Sequence, residues 1–195
     1  MKKITLFLIL IISYSVAKCQ LDQGTWLAGG SGNFYSYNDT KNYSTSPITN
    51  EHLEGKYTNV QISASIGYFI VDKLGLGLRP SFTYLKGYDV GQSTINSRKF
   101  SLGPFARYYF LNPEKQYNIL ADIAYQWGIN QSFSTKGKYN NFSLMAGPEI
   151  YFNSSIGLEI LMGYGSNEET LEGSYSDKKK GFLITTGIQL HLRTL

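Results

Sequence analysis

The sequence predicts an all-β chain: an eight-stranded antiparallel up-and-down transmembrane β-barrel. Three observations carry the prediction. First, apolar residues alternate with small or polar ones along seven stretches, most plainly over Phe182–Leu192. There Phe182, Ile184, Thr186, Ile188, Leu190 and Leu192 share one face, and Leu183, Thr185, Gly187, Gln189 and His191 share the other. A period of two held that long is a half-buried strand and not a helix. Second, the stretches are joined alternately by long polar connections and by short ones, the asymmetry of barrels that cross a membrane. Third, charged residues are 16% of the chain and aromatic residues 15%, with 16 Tyr and 20 Gly. A soluble domain carries about 25% charge, so the wall of this barrel is built to meet lipid through aromatic belts.

The N-terminus stands apart from the barrel. Lys2 and Lys3 form a positive start, Ile4 to Ile12 is a short apolar run, and Ala17-Lys18-Cys19 places small residues three and one positions before a cut. This is the pattern of a cleaved secretory signal peptide, residues 1–19, with the mature chain from Gln20. The run is about half the length of a membrane-spanning helix. Cys19 is the single cysteine, and Lys18 before it disfavours the alternative of an acylated lipoprotein cysteine. The whole chain has 18 basic and 14 acidic residues. Removing Lys2, Lys3 and Lys18 leaves 15 against 14, a net charge of +1, so the basic balance belongs to the export segment and implies no nucleic-acid partner.

Along residues 20–195 one domain is expected. A first, weaker strand runs from about Thr25 to Tyr37, interrupted by Gly29, Gly30 and Gly32, and a long polar loop spans Asn38 to Lys56. Clear alternation then covers Asn59 to Ile70, a tight turn at Asp72-Lys73, and Leu74 to Tyr84. A second polar loop, Gly87 to Arg98, leads to Phe100 to Phe110, the turn Asn112 to Gln116, and Ile119 to Ile129. A third loop, Gln131 to Lys138, leads to Phe142 to Phe152, the turn Asn153 to Ser155, and Ile156 to Tyr164. The last loop, Ser166 to Lys180, returns to the closing strand. Three prolines, Pro80, Pro104 and Pro148, fall in mid-strand. Each lacks a ladder donor, so a bulge or a missing hydrogen bond is expected beside it.

A soluble eight-stranded barrel of the lipocalin kind would show the same alternation with apolar residues inside. The composition of the polar face separates the two. It is mostly Ser, Gly, Thr, Asn and Gln with isolated charges, which suits a narrow interior, whereas a water-facing exterior carries many Lys and Glu. Aromatics also gather near both strand ends, as two bilayer interfaces require.

The segments Ile66-Gly-Tyr-Phe69, Leu74-Gly-Leu-Gly-Leu78, Gly103-Pro-Phe-Ala-Arg-Tyr-Tyr109, Gly147-Pro148 and the closing strand resemble the small outer-membrane β-barrel proteins related to the OmpA transmembrane domain and OmpX. The resemblance covers the mature chain. It implies a Gram-negative outer-membrane location with both termini periplasmic, contact with outer-membrane lipid and lipopolysaccharide, delivery by the barrel-assembly machinery, and a monomer without cofactor. The polar-x-Gly-x-x-apolar-x-apolar pattern of Thr185, Gly187, Leu190 and Leu192 resembles the assembly signal of such proteins, although this chain runs on through Arg193-Thr194-Leu195 where they often end on an aromatic. A shared fold implies function poorly.

The inward face carries Arg79, Arg107, Asp122, Glu149 and Glu159, each a few residues from a short turn. The two arginines sit on neighbouring strands and Glu149 and Glu159 on another neighbouring pair, so opposite charges are expected to meet across the lumen. Eight strands leave room for side chains or one small ligand, which favours an ion-pair plug over a charged gate. For chemistry, lipid-modifying barrels place a His beside a Ser or an acid near the outer rim. Here His52 lies in the first long loop and His191 at the other end, and neither has a partner fixed by the sequence. No metal-ligand spacing, nucleophile elbow or phosphate loop is present, and the chain reads as no enzyme. Lys178, Lys179 and Lys180 are candidates to meet lipopolysaccharide phosphates. The expected role is structural or carried by the loops, with a narrow porin-like channel and an outer-leaflet lipid enzyme as alternatives.

Overall fold

The computed structural model describes residues 21–46, 49–89, 94–132, 135–171 and 175–193. The expected signal peptide, the cut before Gln20, and Thr194 and Leu195 lie outside the described residues. Eight strands follow in order: β1 (Thr25–Ser46), β2 (Thr49–Val71), β3 (Leu74–Asp89), β4 (Ile95–Tyr109), β5 (Tyr117–Ser132), β6 (Thr135–Tyr151), β7 (Ile156–Leu171) and β8 (Tyr175–Arg193). Each pairs antiparallel with its neighbour in sequence, and β1 pairs with β8, closing the barrel.

Burial follows the predicted parity. Ile62, Ile66, Leu78, Ile123, Leu144, Ile184 and Ile188 are exposed on the outside, while Ser65, Ser101, Arg107, Asp122, Gln126, Glu149 and Gln189 are buried within. Exposed aromatics ring both ends: Trp26, Tyr68, Tyr108, Phe110, Tyr117 and Phe152 toward the short turns, and Phe34, Phe82, Phe100, Trp127, Tyr164 and Phe182 toward the other end. A wall apolar outside and polar inside inverts the soluble arrangement, which is what a bilayer demands of strands.

Two sequence expectations change. The long polar connections are strands over most of their length. The β1–β2 register continues from Trp26–Tyr68 out to Ser46–Thr49, β3–β4 out to Gly87–Ile95, β5–β6 to Ser132–Thr135 and β7–β8 to Leu171–Tyr175. Past the membrane both faces of a hairpin meet water, so apolar alternation disappears while backbone pairing persists. His52 is therefore a β2 residue registered with Asn42, not a loop residue.

The prolines resolve as missing ladder contacts without a bulge. The β2–β3 register breaks beside Pro80, between Ser63–Ser81 and Ile66–Leu78, and resumes unshifted. Beside Pro104 the β4–β5 register breaks between Leu102–Trp127 and Phe105–Ala124. Beside Pro148 the β6–β7 register breaks between Ala146–Met162 and Glu149–Glu159. Each proline thus lacks a donor toward one neighbour, within a short-turn hairpin, while its other ladder stays intact for Pro80 and Pro148 as for Pro104.

Below the barrel, the chain before β1 folds back against the β2–β3 turn. Gly24, in the left-handed region at φ 92°, donates to Phe69 O at 3.0 Å, and Lys73 N donates to Leu21 O at 2.8 Å. Leu21 is buried against an interior apolar cluster that includes Leu27, Phe69, Tyr109 and Leu120.

Candidate functional site: a layered lumen

Three layers of inward side chains fill the lumen, each drawn from several strands. In the middle layer Asp122 of β5 is held by two arginines. Arg79 of β3 donates through Nη1 and Nη2 to Oδ1 and Oδ2, both at 2.8 Å, a bidentate fork. Arg107 of β4, the registered partner of Asp122, donates through Nε to Oδ2 at 2.9 Å. Arg107 Nη1 then reaches across the lumen to Glu159 Oε2 on β7 at 2.8 Å. Arg79 also donates to Ser65 Oγ at 3.1 Å, and its guanidinium lies 4.6 Å from the centroid of the Phe105 ring. Arg107 is 1% exposed and Asp122 1%, so the centre of a cluster of two cations and two anions is buried.

The layer nearer the short turns centres on Glu149. Glu149 and Glu159 are registered neighbours on β6 and β7, and their like charges turn apart: Glu159 to Arg107, Glu149 to a separate site. Glu149 Oε2 accepts from Tyr109 Oη at 2.9 Å, and Oε1 lies 2.8 Å from His191 Nε2. The imidazole of His191, fully buried, packs among the rings of Phe69, Tyr109 and Tyr151 at centroid distances of 6.0, 5.9 and 5.8 Å. Glu149 is thus no member of the arginine layer, because strand shear drops it below Asp122 despite its similar count from a turn.

The third layer lies toward the long hairpins. Lys99 of β4 pairs with Glu169 of β7. Asn130 Nδ2 donates to the other Glu169 oxygen at 2.8 Å, and Asn130 Oδ1 accepts from Ser97 Oγ at 2.9 Å. Lys99 Nζ lies 5.2 Å from the centroid of Tyr139. Between the middle and upper layers Gln126 bridges strands, donating to Arg79 O and Ser81 Oγ and accepting from Asn141 Nδ2. A cavity of ≈ 110 Å³ remains there, lined by Ser63, Gln126, Asn141 and Ser143 above Arg79 and Asp122.

The structure therefore brings Arg79, Arg107, Asp122 and Glu159 into one cluster and places Glu149 in another. Sequence reasoning missed Lys99, just before the stretch that begins at Phe100, and Glu169, in a segment read as a loop; both continue the inward parity of Arg107 and Glu159. It missed Tyr109, which continues the same parity by one step. Nothing in the sequence pointed to Leu21. In the closing strand, Gly187 is the last residue registered with β1, opposite Ser31, and Leu190 and Leu192 face Ala28 and Trp26, while Thr185 lies beyond that ladder. A Cβ on Gly187 would come within 2.8 Å of both Glu159 Oε1 and Gly30 O, so glycine there lets the seam close over the charged layer. Lys178, Lys179 and Lys180 are exposed on β8 beyond Phe182. Among the described residues no group of three or more His, Cys, Asp or Glu is placed to hold a metal ion.

Wall and lumen together define a small transmembrane β-barrel, apolar outside and cross-braced within. Its fold is that of small outer-membrane barrels. It is similar to the outer membrane protein OprG from Pseudomonas aeruginosa, with a TM-score of 0.51 at 10% identity over 91% of this chain and 100% of that one. The Neisserial surface protein NspA aligns at a TM-score of 0.49 and 12% identity, over 86% of this chain and 97% of that one. No protein-family model matches the sequence, and no curated protein matches it.

Proposed function

We propose that this chain is an outer-membrane barrel with a plugged lumen, whose role is structural or carried by the four long hairpins it displays. The observation that carries the reading is Arg107: fully inside, it ties Asp122 on one side of the lumen to Glu159 on the other. Conduction would require parting paired, buried charges, a costly step. Upper and lower layers repeat the obstruction. In this reading the short turns and both termini face the periplasm, the barrel-assembly machinery inserts the monomer, and its partners are lipid, lipopolysaccharide and whatever the hairpins meet, with no nucleic acid and no cofactor.

The reading also treats the chain as no enzyme, since His191 is enclosed by three rings and held by Glu149, away from any lipid surface. Planar-bilayer recording of the refolded protein tests the plug. The expected record is a quiet membrane, and stepwise steady conductance would favour the narrow channel instead. Lipid mass spectrometry of cells with and without the protein tests the enzyme alternative, for which a protein-dependent change in lipid A or phospholipid acylation would be the sign.

A further inference from the structure

The seam between β1 and β8 is closed over a short span. Among the described residues its register runs from Thr25–Arg193 to Ser31–Gly187 and stops there, although β1 continues to Ser46 and β8 begins at Tyr175. Both strands remain paired on their other sides along those lengths. The break lies below the aromatic belt, because Phe34 and Phe182, each 68% exposed, stand above it on the two strands. The facing edges of Gly32–Phe34 and Phe182–Thr186 therefore present backbone N–H and C=O groups at membrane depth, which bilayer hydrocarbon does not satisfy. Whatever covers this edge must carry polar atoms as well as fit an apolar wall.

Two further features meet at the same seam. On the outer face, spanning the break, is a groove of ≈ 640 Å³, floored by Ala28, Gly30 and Gly32 and walled by Leu158, Ile188 and Leu190. Its walls are apolar and its floor carries no side chain larger than a methyl group, so it takes a hydrocarbon chain. Above the break, on the same face of β8 as Phe182, stand Lys180 and Lys178, both exposed. Lys178 makes a 3.6 Å contact with Glu168 of β7, with its side chain 52% exposed, and so keeps donors for another anion. Lys180 to Thr186, at the upper rim of the groove, is six residues, about 20 Å along a strand. At a tilt of about 45° that is about 14 Å of depth, within the about 15 Å of hydrocarbon in one leaflet. A lipid whose phosphate sits at the lysines reaches the groove with its acyl chain.

We propose that the open part of the β1–β8 seam is a docking site for one phosphate-bearing membrane lipid of the leaflet on the long-hairpin side. Its phosphate lies at Lys178 and Lys180, its ester oxygens accept from the unpaired strand edges, and an acyl chain fills the groove over Gly30 and Gly32. This inference rests on the membrane-barrel reading and names the lipid chemistry that the lysines serve within it.

Native mass spectrometry of the detergent-purified barrel, titrated with phosphatidic acid and with diacylglycerol of the same acyl chains, tests it. Wild type should bind one phosphatidic acid at least tenfold more tightly than diacylglycerol. Lys178→Ala/Lys180→Ala should abolish that preference, with Lys178→Gln/Lys180→Gln as a second form should the first fail to fold. Gly32→Leu fills the groove where a Cβ meets Gln61 O at an unstrained 3.9 Å, and should weaken both lipids together. Equal binding of the two lipids by wild type, a preference that survives loss of both lysines, undiminished binding to Gly32→Leu, or a lipid-free dimer as the species that covers the seam would each overturn the proposal. Insertion into phosphatidylcholine vesicles separates the two levels: a wild type that inserts but selects no lipid defeats this inference alone, and one that does not insert defeats the membrane-barrel reading.

Discussion

Arg107 makes the most consequential set of contacts in the lumen. Its guanidinium touches Asp122 and Glu159 and lies 6.0 Å from the Phe105 centroid. Removing it strands two buried carboxylates, of which only Asp122 retains an arginine. Arg107→Ala should therefore lower stability by about 3–5 kcal/mol, seen as a fall in melting temperature in detergent. An unchanged melting temperature would sink the network. Arg107→Met/Glu159→Leu removes the cross-lumen pair as a unit and should lose less than the single change, because replacing both partners strands no charge. His191 poses a gentler test. His191→Phe keeps the ring stack but leaves Glu149 with Tyr109 alone, and a loss of about 1–3 kcal/mol is expected. Stability equal to wild type would mean that Tyr109 satisfies Glu149 by itself.

Among elements, the three short-turn hairpins share a feature: one proline and one unshifted break in the ladder between the strands it joins. The register on either side is held by the alternating faces, since a one-residue slip would move every apolar side chain into the lumen. Pro148→Ala returns an N–H to the β6–β7 ladder. Its expected effect is within about 1 kcal/mol, with the new amide slow to exchange. A large loss instead would mean that the proline ring, not the backbone, matters at the lipid face. The presence of eight strands and the parity of seven were legible in the sequence because lipid and a narrow lumen impose opposite chemistry on alternate residues. Strand ends were not legible, because that contrast vanishes once both faces of a hairpin reach water, as between Asn38 and Lys56.

For the whole molecule, function depends on orientation in the membrane. The proposed topology puts Lys136, exposed near the tip of the β5–β6 hairpin, outside the cell, and Lys115, in the turn between β4 and β5, in the periplasm. Lys136→Cys in intact cells should react with a membrane-impermeant maleimide and Lys115→Cys should not. The reverse pattern would invert the barrel and move the seam lysines to the inner leaflet. The layered lumen bears on the same scale: bracing at three heights supports the proposed role of the hairpins and the seam as the surfaces that meet the surroundings.

Alternation, belts and connection lengths follow from local chemistry, since each residue must suit lipid, lumen or water wherever the chain runs. The sequence by itself thus determined that this is an eight-stranded barrel with an apolar exterior and five inward charges. Which charges meet was decided by strand tilt and shear, which carry Arg107 to Glu159 across the lumen and drop Glu149 to His191. The extent of the seam was decided the same way. Where β1 and β8 part depends on how the first and last strands lean when the sheet closes, and that is a property of the whole ring of strands, not of either one.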